Sequence, residues 1–239
     1  MEDGAAPRVR LTRDAVLHAA VVLADEQGVG GLSMRSLAES LGVVPMALYR
    51  HVANKEDLLD GMVDVLADEI DPPIDTPDWR TAVRHRVLSA RRALQRHAWA
   101  RRVLETRTSR TPGVLAYTDS FIGMFLDRGF SVDLTHHVLH ALGSRMWGFT
   151  QELFDDPGAA PAEQATAVDD AEAQAVLQQM AARYPNVLRI AMASAHGDDV
   201  VGTGCDDQFE FEFALDLLLD GIEALRAEGW TSPGSGRDR

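Results

Sequence analysis

The sequence has a single cysteine, Cys205. No disulfide framework and no four-thiolate metal site can form within one chain, a usage that fits a reducing compartment, and a cytoplasmic location is expected. No run of about 18 apolar residues occurs, so no membrane span is expected. The opening stretch MEDGAAPRVR lacks the apolar segment of a secretory signal. The common catalytic motifs are missing as well: there is no G-x-S-x-G elbow, no G-x-x-x-x-G-K phosphate loop and no H-E-x-x-H zinc helix. Cys205 lies among glycines and acids, surroundings that do not favour a thiolate nucleophile. Cations are scarce too. Lysine and arginine total 23 against 37 aspartates and glutamates, a net charge of −14, which is the wrong sign for general polyanion binding.

What the sequence does have is helical period. Hydrophobic residues make up 46%, enough for a sizeable core in one large domain or two small ones. Apolar residues recur at three- and four-residue spacing over 13–27, 34–41, 45–52, 55–70, 79–97, 98–106, 113–128, 133–154, 170–183, 185–195 and 208–228, with no convincing strand and no internal repeat. The expected fold is all-α. Ala15, Val16, Ala19, Ala20, Val22 and Leu23 form the periodic set of the first helix, and Leu58, Leu59, Met62, Val63, Leu66 and Ala67 that of the fourth. Asp71-Pro72-Pro73 ends the fourth helix, since proline cannot continue its hydrogen bonds. A boundary between an N-terminal domain, 9–70, and a larger helical domain, 71–230, is placed there. The polar stretches 155–167 and 196–207 read as mobile loops.

The chain is organised around 37–55, LAESLGVVPMALYRHVANK. Leu37, Ala38 and Leu41 share one face of a short helix. Gly42 follows where the backbone must turn, and a glycine takes positive φ there without a Cβ clash. Pro45 suits the first position of a second helix. Asn54 can cap a third, whose first turn holds Glu56 and Asp57 near the positive end of the helix dipole. Two short helices joined by a glycine turn are a helix-turn-helix, whose second helix enters the DNA major groove. Charge is distributed to match. Between Arg8 and Lys55 six cations face four acids, so the acid excess lies downstream, where it either turns the basic end towards DNA or serves only solubility.

These residues resemble the DNA-binding head of the tetracycline-repressor (TetR) family. The Leu41-Gly42-Val43 turn, Leu48-Tyr49 followed by His51-Val52, and Asn54-Lys55 with Leu58-Leu59 stand where that family has them. The resemblance is specific from about Leu11 to Ile70 and continues more weakly to FEFALDLLLDGIEAL near the C-terminus. It implies a three-helix head on a helical body that binds a ligand and dimerises. The implied partners are double-stranded operator DNA, a small-molecule effector and a second copy of the chain; the implied activity is that of a repressor released by its effector. The DNA-facing set is Arg35, Pro45, Met46, Ala47, Tyr49, Arg50, His51 and Lys55. Arg50 can pair with guanine O6 and N7 or contact a phosphate. By resemblance Tyr49 and His51 make backbone or groove contacts and Lys55 holds a phosphate. The chain departs from the tetracycline repressor at Val44-Pro45-Met46-Ala47 and Arg50, so it is expected to read another base sequence.

Family members also enclose an apolar ligand cavity among their middle helices, with a few orienting polar groups. Trp99, Tyr117, Phe121, Phe125, Trp147 and Phe149 fall on those helices, and Arg91, Thr106, Arg107, His137, Thr150 and Gln151 are the polar candidates. The expected lining is drawn from Arg91, Thr106, Arg107, Tyr117, Phe121, Phe125, His137, Trp147, Thr150 and Gln151, with core packing as the competing role for each. His136 and His140 are four apart, a spacing able to hold a metal. The tetracycline repressor uses histidine in recognising a magnesium-bound drug, yet no histidine occurs over 104–107 or near Ile70, and no metal or cofactor is expected. Two other readings are a helical protein-interaction module without specific DNA binding and, with less support, a small-molecule enzyme.

Overall fold

The computed structural model describes residues 11–107, 109–147, 178–179, 181–194 and 207–233. Every regular element among them is helical: α1 Arg13–Gly31, α2 Met34–Ser40, α3 Pro45–Leu48, α4 Lys55–Asp68, α5 Trp79–Arg96, α6 Ala100–Thr106, α7 Pro112–Leu126, α8 Val132–Trp147, α9 Pro185–Ser194 and α10 Asp207–Ala227. The chain divides into two units, Met1–Met146 with Gly221–Arg239 and Trp147–Asp220.

In the first unit local chemistry sets the helix ends. Thr12 caps α1 by accepting from the Ala15 amide at 3.1 Å. Ser33 and Ser36 form a reciprocal capping box on α2, at 2.9 and 3.0 Å. Asn54 accepts from the Asp57 amide and caps α4. Gly42 has φ 64 and makes the turn. Gly28 has φ 71, so α1 turns sharply just where its periodic stretch ends, and a short helical segment continues to Gly31. The expected second helix of the head is shorter than its sequence period. After Leu48 the amides of His51 and Val52 both return to the Leu48 carbonyl, a tightened turn that ends the helix.

One core joins the head to the α6 region. Val16, Ala20, Leu37, Leu48, Leu58 and Met62 are fully buried together with Trp99, Ala100 and Val103. Helix α4 is its spine, packing on α1 at one side and on α6 and α7 at the other. Val22, expected in the core, is 56% exposed, while Leu17 and Val21 are buried instead. The α1–α4 contact sets that register. Farther on, Trp79, Phe121, Phe125 and Phe130 form an aromatic cluster with centroids 5.0–6.0 Å apart.

Two glycines permit the close approach to α4. A Cβ on Gly61 would meet Leu17 Cδ2 at 2.5 Å, and one on Gly113 would lie 3.1 Å from the Asp64 Cα. The Gly113 amide donates to Asp64 Oδ1 at 2.8 Å. Gly113→Ala is therefore expected to destabilise the protein by about 1–2 kcal/mol, because overpacking against backbone outweighs the gain in helix propensity. The melting temperature should fall by roughly 2–8 °C, and an unchanged or raised value in a thermal melt would contradict the α4–α7 packing.

In the second unit, α10 exposes Phe209, Phe213 and Leu217, four residues apart along one face, with the two phenyl rings stacked at 6.3 Å. Phe211, Leu215 and Leu219 are buried. The expected loops 155–167 and 196–206 lie outside the described residues, as do most of 170–183 and the end of the helix expected over 133–154; Asp207 opens α10.

Candidate functional site

The exposed end of the head is built around α3. Leu48 and Val52 are buried anchors, and between and before them the chain presents Val44 (68% exposed), Met46 (71%) and Tyr49 (47%), with Pro45 and Arg50 also exposed. Large apolar side chains so exposed on a short turn point to a contact surface. Arg50 makes no hydrogen bond or ion pair with the described residues. Arg35 stands exposed on α2 and pairs with Glu39 at 3.0 Å, an exposed pair of the kind worth little and readily exchanged for a phosphate. Ala47 and His51 are half-buried.

Two cations hold this surface in place. Arg13 Nη1 donates to the His51 carbonyl at 2.7 Å, and its guanidinium grips both carboxylate oxygens of Asp57 at 2.6 and 3.1 Å. Hydrogen bonding from Arg13 holds the Asp57 carboxyl below its ordinary pKa. Asp57 also accepts from the Ala53 amide, so α1, the turn after α3 and the start of α4 share one polar junction. Lys55 Nζ donates to the Leu32 carbonyl at 2.7 Å, tying the start of α4 to the α1–α2 link. An ammonium has three N–H groups, so that bond leaves Lys55 able to take a phosphate as well. Arg13 escaped the sequence reading because its partners lie 38 and 44 positions away.

The far end of α4 is clamped by α5. Arg86, Ser89, Arg92 and Arg96 recur at helical spacing and all reach 69–71. Arg96 and His97 bind Glu69 at 2.8 and 3.0 Å, Arg86 Nη1 donates to the carbonyls of Ile70 and Asp71, and Ser89 and Arg92 bind the Asp71 carboxylate. His97 is buried, and its other ring nitrogen faces Asp25 of α1 at 2.8 Å. Trp99 donates to the same Asp25 at 2.7 Å. Burial works against the imidazolium, but the hydrogen bonds to Asp25 and Glu69 outweigh it and raise the His97 pKa above 6.5. A ring between two carboxylates has to donate from both nitrogens.

Beside this clamp lies an open cleft of about 320 Å³, lined by Ala67, Asp68 and Ile70 at the end of α4, by Pro72 and Pro73, by Arg86, and by Gly113, Ala116, Tyr117 and Ser120 of α7. Its lining is mixed: Ala67, Ile70, Pro72, Pro73 and Ala116 are apolar, and Asp68, Arg86, Tyr117 and Ser120 bring polar groups. The Arg86 guanidinium carbon sits 4.7 Å from the centre of the Tyr117 ring.

Comparison with known proteins accords with this architecture. The profile of tetracyclin repressor-like C-terminal domains matches residues 72–226, and that of bacterial regulatory proteins of the tetR family matches 16–62. The chain belongs to the TetR family. It is a helix-turn-helix transcriptional regulator. Similar proteins include the HTH-type transcriptional repressor DrrR1 of Streptomyces coeruleorubidus, 32% identical over 231 residues, covering 93% of this chain and 81% of the relative. The class C tetracycline repressor from Escherichia coli is 30% identical over 220 residues, covering 91% and 93%. The Streptomyces coelicolor TetR-family protein ActR, solved in complex with actinorhodin, superposes with a TM-score of 0.63 at 23% identity over 90% of this chain and 98% of that one, a likeness of fold.

Of the side chains expected to line a TetR-family cavity, Tyr117 lies on the cleft. Phe121 and Phe125 are buried in the aromatic cluster, and Arg91 is buried on α5. Arg107 instead pairs with Glu56 and Asp60 of α4, and Thr106 bonds to Val103 and Arg107. His137 packs against Trp230. The Trp147 side chain, Phe149, Thr150 and Gln151 lie outside the described residues. His136, His137 and His140 stack edge to face at 4.7–5.1 Å, and among the described residues no group of three or more such side chains is placed to hold a metal. No helix among them is long and apolar enough to cross a membrane. Arg86 was not anticipated: period alone marks its position as buried, where a cation is unexpected.

Proposed function

We propose that this TetR-family chain is a cytoplasmic, dimeric repressor that acts by binding rather than catalysis and leaves its operator when a small molecule enters the cleft of the body. Arg35, Pro45, Met46, Ala47, Tyr49, Arg50, His51 and Lys55 form the DNA surface. The observation that carries the reading is the double role of α4: its first residues fix the recognition turn through Asp57 and the α1–α2 link through Lys55, and its last ones line the cleft. A ligand that displaces the end of α4 therefore moves the head. The domains are the head, 9–70, and the body, 71–230, meeting at the proline stop.

Dimerisation is needed because one head covers one half-site, and two heads must sit about 34–36 Å apart along the duplex. Helices α8 and α10 are the expected contact, an isologous one. Of Leu215, Leu218 and Ile222, which the sequence suggests as members, Leu215 and Ile222 are buried within the chain and Leu218 is half-buried, so the exposed row Phe209, Phe213 and Leu217 is the better candidate. A monomeric mass in sedimentation at micromolar concentration would refute the dimer.

Replacing Lys55 with alanine is expected to weaken binding to all DNA sequences alike and to reduce the salt slope by about one. A change in base preference with an unchanged slope would assign Lys55 another role. For the effector, a coupling of about 1–3 kcal/mol corresponds to roughly 5–150-fold weaker operator binding, and linkage requires operator to weaken ligand binding by the same factor. The test is a thermal-shift screen for a binder followed by calorimetry with and without operator. Equal affinities would show that the compound bound is not an inducer.

A further inference from the structure

Helix α5 is an electrostatic exception in this chain. WRTAVRHRVLSARRALQR holds six arginines and one histidine and no carboxylate, in a protein of net charge −14. Arg92 and Arg96 are accounted for by Asp71 and Glu69. Arg86 is different. It is 5% exposed, its hydrogen bonds all leave from Nη1 to two backbone carbonyls, and its Nε has no hydrogen-bond partner. The nearby Asp71 carboxylate is turned to Ser89 and Arg92. Burial lowers the Arg86 pKa from its ordinary value.

A buried cation without an ion-pair partner is unfavourable, and this one lines the cleft. Two backbone carbonyls explain why the side chain reaches the end of α4, but they do not neutralise it. The Nε–H and Nη2–H edge is the edge that grips a carboxylate with two parallel bonds. The Tyr117 ring lies against the guanidinium, and Ser120 adds a hydroxyl to the same lining.

We propose that the cleft takes an organic acid: a compact apolar or aromatic body whose single anionic group, a carboxylate or sulfonate, pairs with Arg86 beside Tyr117. The proposal rests on the reading of the cleft as the effector site and adds the chemical class of the effector. Asp68, exposed on the same lining, repels an acid seated anywhere but at the Arg86 end, which orients the ligand. An anion pulling on Arg86 competes with the Ile70 and Asp71 carbonyls, so ligand charge acts on the segment that ends α4.

The test uses two fluorescent probes of one shape, 8-anilinonaphthalene-1-sulfonate and its uncharged parent N-phenyl-1-naphthylamine, titrated into the full-length protein. Wild-type protein is expected to bind the sulfonate at least tenfold more tightly than the parent. Arg86→Gln should remove that preference, so that the two probes bind it alike within about twofold, and Arg86→Lys, which keeps the charge, should retain part of it. Circular dichroism and a thermal melt check that each variant folds; if Arg86→Gln does not, the wild-type comparison and Arg86→Lys decide. Equal binding of both probes to wild type, or an Arg86→Gln variant that keeps the preference, overturns the acid class and leaves the cleft as a neutral-ligand site. Binding of neither probe overturns the cleft as a site for ligands of this size and the acid proposal with it.

Discussion

An Arg50→Ala dimer is expected to bind operator roughly 30-fold to 10⁴-fold more weakly than wild type. The guanidinium stands exposed beside Tyr49, with no partner among the described residues, on a turn anchored by Leu48 and Val52. A base contact of this kind is worth about 1–3 kcal/mol. Both half-sites lose it at once, and about 2–6 kcal/mol corresponds to that range at 1.4 kcal/mol per tenfold. Preference should also relax at one base position in each half-site. Gel-shift titrations against operators randomised at single positions measure both effects. If Arg50→Ala weakened all variants equally and lowered the salt slope, Arg50 would be a phosphate contact rather than a reader of bases.

Replacing His97 with alanine is expected to cost about 3 kcal/mol, the low end of the range for removing one partner of a buried ion pair. The low end applies because Asp25 and Glu69 keep 31% and 32% of their side-chain surface. The melting temperature should fall by roughly 6–12 °C. A pH signature accompanies it. The folded imidazole pKa stands above 6.5, so the His97 contribution is fully present below pH 6.5 and is lost as pH rises through the folded value. Glu69 acts at the acid end. Burial raises its pKa, but Arg96 and His97 outweigh that and hold it below 4.5, so its contribution is present above pH 4.5 and is lost as pH falls through the folded value. Stability is expected to peak between the two, and His97→Ala should flatten the alkaline limb. Urea melts of wild type and variant from pH 4 to 9 measure this. Identical slopes above pH 6.5 would show that the imidazole is not held charged.

The two variants probe opposite ends of α4. At the head the sequence was informative because the chemistry is local. A cap, a glycine turn and a proline at a helix start act within four residues, and Thr12, Ser33, Gly42, Pro45 and Asn54 each stand as those rules require. Val22 shows the limit: the periodic set includes it, yet α1 meets α4 where Leu17 approaches Gly61, and Val22 is left exposed. Leu215 and Ile222 show another, since period marks an apolar face without saying whether this chain or a second copy covers it.

The sequence by itself determined the all-α class, most helix ends and the helix-turn-helix, because each arises from backbone sterics and hydrogen bonding between near neighbours. Tertiary structure alone decided the rest. The Asp25–His97–Glu69 bridge joins positions 72 and 28 apart, and the Arg13–Asp57 clamp spans 44. Arg86 gains meaning only when the end of α4, α5 and α7 enclose a cleft around it. Charge pairing and burial depend on which surfaces meet in space, and a one-dimensional pattern of apolar residues carries no record of that.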